Sequence, residues 1–101
     1  MYIYNTTFHL DKAIEPEFGP WLRTYRDKAL ASGLFYSAHI LAVRSDHMEE
    51  GVTAFALHLE ASDNDRVGRW TAGIEAECLP EVFSRWPQRA VAFSTLLEEI
   101  D

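Results

Sequence analysis

A chain of 101 residues has room for one domain, taken here as residues 1–101, and can bury a core without disulfide staples. Its apolar share of 48% and charged share of 25% are those of a globular protein rather than a disordered one. The net charge of −7, with nine basic residues scattered along the chain, argues against nucleic acid as a partner, because phosphates demand clustered Lys and Arg. No stretch approaches the ~20 apolar residues of a membrane span. The opening MYIYNTTFHLDK has neither the basic nor the apolar region of a signal peptide. Cys78 is the only cysteine, so no internal disulfide can form, and a cytoplasmic setting is expected.

Residues 2–10 (YIYNTTFHL) alternate, with Tyr2, Tyr4, Phe8 and Leu10 on one face and Ile3, Asn5, Thr7 and His9 on the other. One greasy and one mostly polar face predict a half-buried strand. The period then changes. Over residues 15–31, Phe18, Trp21, Leu22, Tyr25, Ala29 and Leu30 form one stripe of a helix, with Pro16 and Pro20 near its start and Ser32-Gly33 as its stop.

Residues 34–45 and 52–61 predict a hairpin of two more strands around the polar connector 46–51. In the second of these, Phe55, Leu57 and Leu59 alternate against Ala54, Ala56 and His58. Ser62 reads as the cap of a second helix, with Asp63 and Asp65 in its first turn. Val67, Trp70, Ile74 and Cys78 carry its apolar stripe, and Pro80 is expected to break it before a short piece containing Val82, Phe83 and Trp86. Residues 89–97 (RAVAFSTLL) predict a fourth strand before an acidic end.

The order β-α-β-β-α-β, with right-handed crossovers, predicts an α+β ferredoxin-like plait: a four-stranded antiparallel sheet in the order 4-1-3-2 with both helices on one face. Phe8, Phe55 and Trp70 should lie buried under those helices. The other face carries Ile3, Ala54, Ala56, Leu41 and Val43 among its polar groups and is too apolar to stay wet. Two such faces pressed together would give a homodimeric α/β barrel.

YNTTFH (residues 4–9), the GLF at residues 33–35 and AFSTLLEEI (residues 92–100) resemble an uncharacterised bacterial family catalogued as domain of unknown function forty-two eighty-six. The resemblance implies this plait and a dimer; it implies no activity, cofactor or catalytic residue. More distantly the plait resembles the dimeric α/β-barrel superfamily of small cofactor-free monooxygenases, isomerases and stress-responsive proteins, a likeness of fold that carries no chemistry by itself.

Two constellations stand out. A hairpin register that sets Arg44 opposite Thr53 brings His39 opposite His58, and strand pairing then brings Asn5 beside His58 and Ser94 beside Asn5. The strip Ser94–Asn5–His58–His39 would cross the open face and either bind a ligand or satisfy itself at the dimer seam. A three-histidine metal site fails on spacing, because His9 falls about 15 Å from His58 along the strands, and no cofactor is expected. The second constellation, Tyr4, Tyr25 and Trp70 with Tyr2 and Trp21, lies between sheet and helices and would suit a planar ligand, or else is plain core.

Cys78, with no Lys, Arg or His within one turn, reads as a small buried hydrophobe, and Glu75, Glu77 and Glu81 as a solvated helix face. The leading expectation is a dimeric module that binds a small molecule or protein partner without catalysis. The alternative is a small cofactor-independent enzyme, monooxygenase- or isomerase-like, working in the aromatic layer. A void lined by Tyr4, Tyr25 and Trp70 would favour an enzyme or ligand binder, and a packed layer an interaction module.

Overall fold

The alternating segment at the start of the chain is a strand, β1 (Tyr2–Asp11), and its alternation decides which way it faces. In the computed structural model, which describes residues 1–101, Tyr4, Thr6, Phe8 and Leu10 are buried and the odd-numbered residues between them only partly covered. A short turn of helix (Lys12–Ile14) leads into α1 (Glu15–Ala31). The hairpin follows as β2 (Ser37–Ala42) and β3 (Val52–Ala61), then α2 (Asn64–Ala72), α3 (Ile74–Arg85) and β4 (Ala90–Glu98).

Every strand pairing is antiparallel, and the sheet order is β2-β3-β1-β4, which is 4-1-3-2 read from its other edge. The two ends of the chain meet at this sheet, where the Glu99 amide donates to the Met1 carbonyl at 2.9 Å. The core lies between sheet and helices, where an aromatic series runs Trp86, Phe18, Trp21, Tyr25, Trp70, Phe35, with neighbouring ring centroids 4.9 to 5.5 Å apart. Phe8 sits beneath it, 5.2 Å from Phe18 and 6.0 Å from Trp21. Tilted and edge-on rings at these spacings add to the area they bury.

Several expectations need correcting. Phe55 faces the helices with Leu57 and Leu59 but stays partly exposed, because the helix above it presents Pro16, Gly19 and Pro20 and leaves a cleft of about 320 Å³. Leu30 ends the α1 stripe at 45% exposure. The second helix is capped by Asp63 rather than Ser62, its carboxylate accepting from the Arg66 amide at 3.0 Å. That amide first, with help from the Arg66 side chain and against an opposing desolvation, holds the Asp63 pKa below the usual carboxylate range.

The helical break falls at Gly73, and Pro80 rides inside α3. A proline removes one amide and crowds the preceding turn, but Gly73 allows a closer approach: a Cβ there would stand 2.9 Å from the Arg69 carbonyl oxygen. Gly68, by contrast, has nothing within 4 Å of where its Cβ would be. Gly68→Ala should therefore stabilise the fold by about 1 kcal/mol, while Gly73→Ala should destabilise it. Paired urea-unfolding midpoints that moved in the same direction would contradict this account of the break.

Candidate functional site

On the open face the hairpin register is the expected one. His39 pairs with His58, and Asn5 pairs with His58 from the other side. Ser94 is not in this strip. It pairs with Thr6 on the helix-facing side, and Thr95 stands beside Asn5 instead. The side-chain bonds of the strip run along strands rather than across them: Asn5 Nδ2 donates to Thr7 Oγ1 at 3.2 Å, and His58 Nε2 lies 3.5 Å from Glu60 Oε1. His39 is exposed. Around the strip, Leu41, Val91, Phe93 and Leu97 are each about half exposed, and Phe93 stacks on His9 at 5.2 Å.

The helix-facing side gathers more unusual chemistry. Thr6 Oγ1 and Ser94 Oγ share a hydrogen bond of 2.8 Å, and two residues along β1 the Tyr4 hydroxyl donates to Glu75 Oε1 at 3.0 Å. Glu75 is therefore no solvated helix face. It opens α3 directly after the Gly73 break, which turns its carboxylate inward toward the sheet. Tyr25 lies against Trp70 at a tilt of 44°, with centroids 5.1 Å apart. Three polar atoms in this neighbourhood are buried without a partner: Tyr25 OH, Trp70 Nε1 and Glu75 Oε2. Buried polar groups are normally paired, and each orphan costs about 1–3 kcal/mol.

Burial raises the Glu75 pKa, while the Tyr4 hydroxyl works against the rise. Burial also raises Tyr4, with Glu75 adding to it and the Ser94 and Thr6 hydroxyls opposing. Tyr25 is pushed furthest above the ordinary tyrosine range, first by burial and then by charge on Glu75, Cys78 and Tyr4. A raised carboxyl makes the folded state hold a proton that the unfolded chain releases. The stabilising contribution of Glu75 is thus fully present below its unfolded pKa and lost as pH climbs through the folded one. Denaturation midpoints taken between about pH 4 and pH 7 should show this downward component in the wild type and lack it in Glu75→Gln.

No cleft is lined by Tyr4 or Trp70, which are packed at 9% and 0% exposure, so the layer holds no void of the kind that would by itself favour an enzyme or ligand binder. The layer opens at Tyr25. There a cleft of about 320 Å³ between α1 and α3 reaches Tyr25 and Cys78, walled by Trp21, Lys28 and Arg85. Cys78 is consequently not the plain buried hydrophobe its local sequence suggests. It is half-buried, and Lys28 Nζ, fifty residues away in the chain, donates to its Sγ at 3.6 Å.

A four-stranded antiparallel sheet in the order β2-β3-β1-β4 with its helices on one face defines a ferredoxin-like fold. The chain belongs to the family described as Domain of unknown function (DUF4286), which matches residues 1–100. Among solved structures it is similar to a protein assigned as an antibiotic biosynthesis monooxygenase from Nitrosomonas europaea, with a TM-score of 0.75 and 11% identity over 100% of both chains. A dimeric ferredoxin-like protein from an uncultured marine organism matches with a TM-score of 0.63 and 15% identity, over 98% of this chain and 97% of that one. At such identities these likenesses establish the fold alone. No curated protein matches the chain, and no helix is long and apolar enough to cross a membrane.

Proposed function

We propose that this protein is a homodimeric module that binds a small, flat molecule in the layer between its sheet and its helices. The observation that carries the reading is the trio of orphaned atoms Tyr25 OH, Trp70 Nε1 and Glu75 Oε2. Two are donors and one is an acceptor when ionised. The layer is packed around these atoms, so binding requires Tyr25 and Trp70 to part. A ligand with a carbonyl and a hydroxyl would then satisfy all three while its ring lies against that pair. The α1–α3 cleft supplies the approach, since Tyr25 forms part of its wall. Pairing of two copies through the open sheet face would leave this layer free, because the two lie on opposite sides of the sheet.

Umbelliferone, a flat hydroxycoumarin with both groups, is a suitable probe. Its fluorescence anisotropy should rise on binding, and Tyr25→Phe or Glu75→Gln should each weaken the affinity about tenfold, the loss of one buried hydrogen bond. Affinity unchanged by both substitutions, or no binding up to roughly millimolar protein, overturns the reading.

A second reading is favoured by one observation. Glu75 couples a pKa raised by burial to a phenol donor at 3.0 Å, the arrangement of a general acid–base pair. In that case a small cofactor-independent enzyme would use Glu75 to move a proton on the same ligand. Turnover with a pH limb that disappears in Glu75→Gln would separate catalysis from binding.

A further inference from the structure

The α1–α3 cleft has a chemistry of its own. Its acids are already engaged: Glu81 accepts from the Trp21 indole at 3.2 Å and lies 3.9 Å from Arg85, and Glu17 accepts from the Trp86 indole at 3.0 Å. Lys28 makes no ion pair, and its ammonium rests against the Cys78 sulfur instead. Beside them Tyr25, at 2% exposure, keeps a hydroxyl with no partner, near enough to Cys78 to feel its charge. A reachable thiol, an unpaired cation and an unused donor therefore share one pocket of about 320 Å³.

We propose that Cys78 is a thiol–disulfide exchange site for small anionic disulfides, held by Lys28 and Tyr25 in the cleft between α1 and α3. Cys78 Sγ attacks one sulfur of the incoming disulfide. The incoming S–S bond breaks as the protein–ligand S–S bond forms, and the departing sulfur leaves as a thiolate that takes up the proton Cys78 released. The protein thiol is oxidised and half of the incoming disulfide is reduced, so no further oxidant is needed. The Lys28 ammonium faces both the charge on the attacking sulfur and a carboxylate of the incoming molecule. The Tyr25 hydroxyl donates to a second polar atom of that molecule. Once attached, the adduct occupies the cleft and covers Tyr25, closing the approach to the layer behind it. This goes beyond the binding reading and does not require it.

The test compares oxidised glutathione, which is anionic, with cystamine, which is cationic, by following mixed-disulfide formation in intact-mass spectra. Lys28 is exposed, so Lys28→Met should leave the fold intact. With oxidised glutathione, Lys28→Met should slow the reaction about tenfold, the scale of local electrostatic focusing, and Tyr25→Phe should slow it as well. With cystamine the Lys28 substitution should cost distinctly less, and folded wild type should outpace the urea-unfolded chain toward oxidised glutathione at the same pH. An equal loss with both disulfides, a rate untouched by either substitution, or a folded chain slower than the unfolded one overturns the proposal. Failure here with umbelliferone binding intact would strike this site and leave the binding reading standing.

Discussion

Phe8→Ala should cost the protein about 3–5 kcal/mol, the usual loss when a buried phenylalanine is removed and the cavity collapses only in part. Phe8 lies on a central strand at 0% exposure, with Phe18 and Trp21 packed on its ring and Phe55 paired across the strands. Total stabilities of roughly 5–15 kcal/mol are usual, so the variant should sit near the edge of folding at 37 °C. Phe55→Ala provides the internal comparison. Its ring faces the same layer but borders an open cleft, so fewer contacts are lost and the cost should be about 1–2 kcal/mol. Urea midpoints that rank the two equally would mean that the cleft over Phe55 is closed in solution.

Phe93→Glu should turn a dimer into a monomer. Phe93 is 55% exposed near the middle of the edge strand β4, on the sheet face that no helix covers, with Val91 and Leu97 on the same side. In a twofold sheet-on-sheet dimer the substitution is counted twice, placing two unpaired carboxylates in an apolar seam. A penalty of about 4 kcal/mol corresponds to a Kd roughly a thousandfold weaker, enough to dissociate the pair at micromolar concentration. Light scattering should read twice 11.6 kDa for the wild type and 11.6 kDa for the variant. A wild type that is already monomeric there removes the face-to-face dimer and leaves the patch without an occupant.

The elements were legible wherever one periodicity held. The even-odd alternation of β1, the α1 stripe and the His39–His58 register all follow from spacing that only one secondary structure satisfies. β4 was misleading because its bulk is inverted: Ala90 and Ala92 turn toward the core while Val91 and Phe93 turn away from it. Both faces of AVAFSTLL read as apolar, so side-chain size points the wrong way and Ser94 slips onto the wrong face by one residue. The helical break was misplaced because proline announces itself in a sequence, whereas the crowding over Gly73 depends on the carbonyl of Arg69.

Glu75 and Cys78 were missed for a related reason. Each has polar or apolar neighbours that suggest solvent or core, and each owes its character to a residue far along the chain. Tyr4 reaches Glu75 across 71 positions and Lys28 reaches Cys78 across 50. The one local hint was the glycine two residues before Glu75, which frees that carboxylate from the face an unbroken helix would give it.

The sheet is closed by its own extremities. Tyr2 pairs with Glu98, and the Glu99 amide reaches the Met1 carbonyl. Contacts this distant in sequence make folding slow, since the entropy of closing so long a loop is spent before any pairing rewards it. Until β4 docks, a molecule that has already joined β1 to β3 carries a bare strand edge beside an uncovered apolar face. Two such molecules can pair through those edges as readily as each can finish its own sheet. Refolding yield should accordingly fall as protein concentration rises, even though the proposed dimer would gain from that same increase.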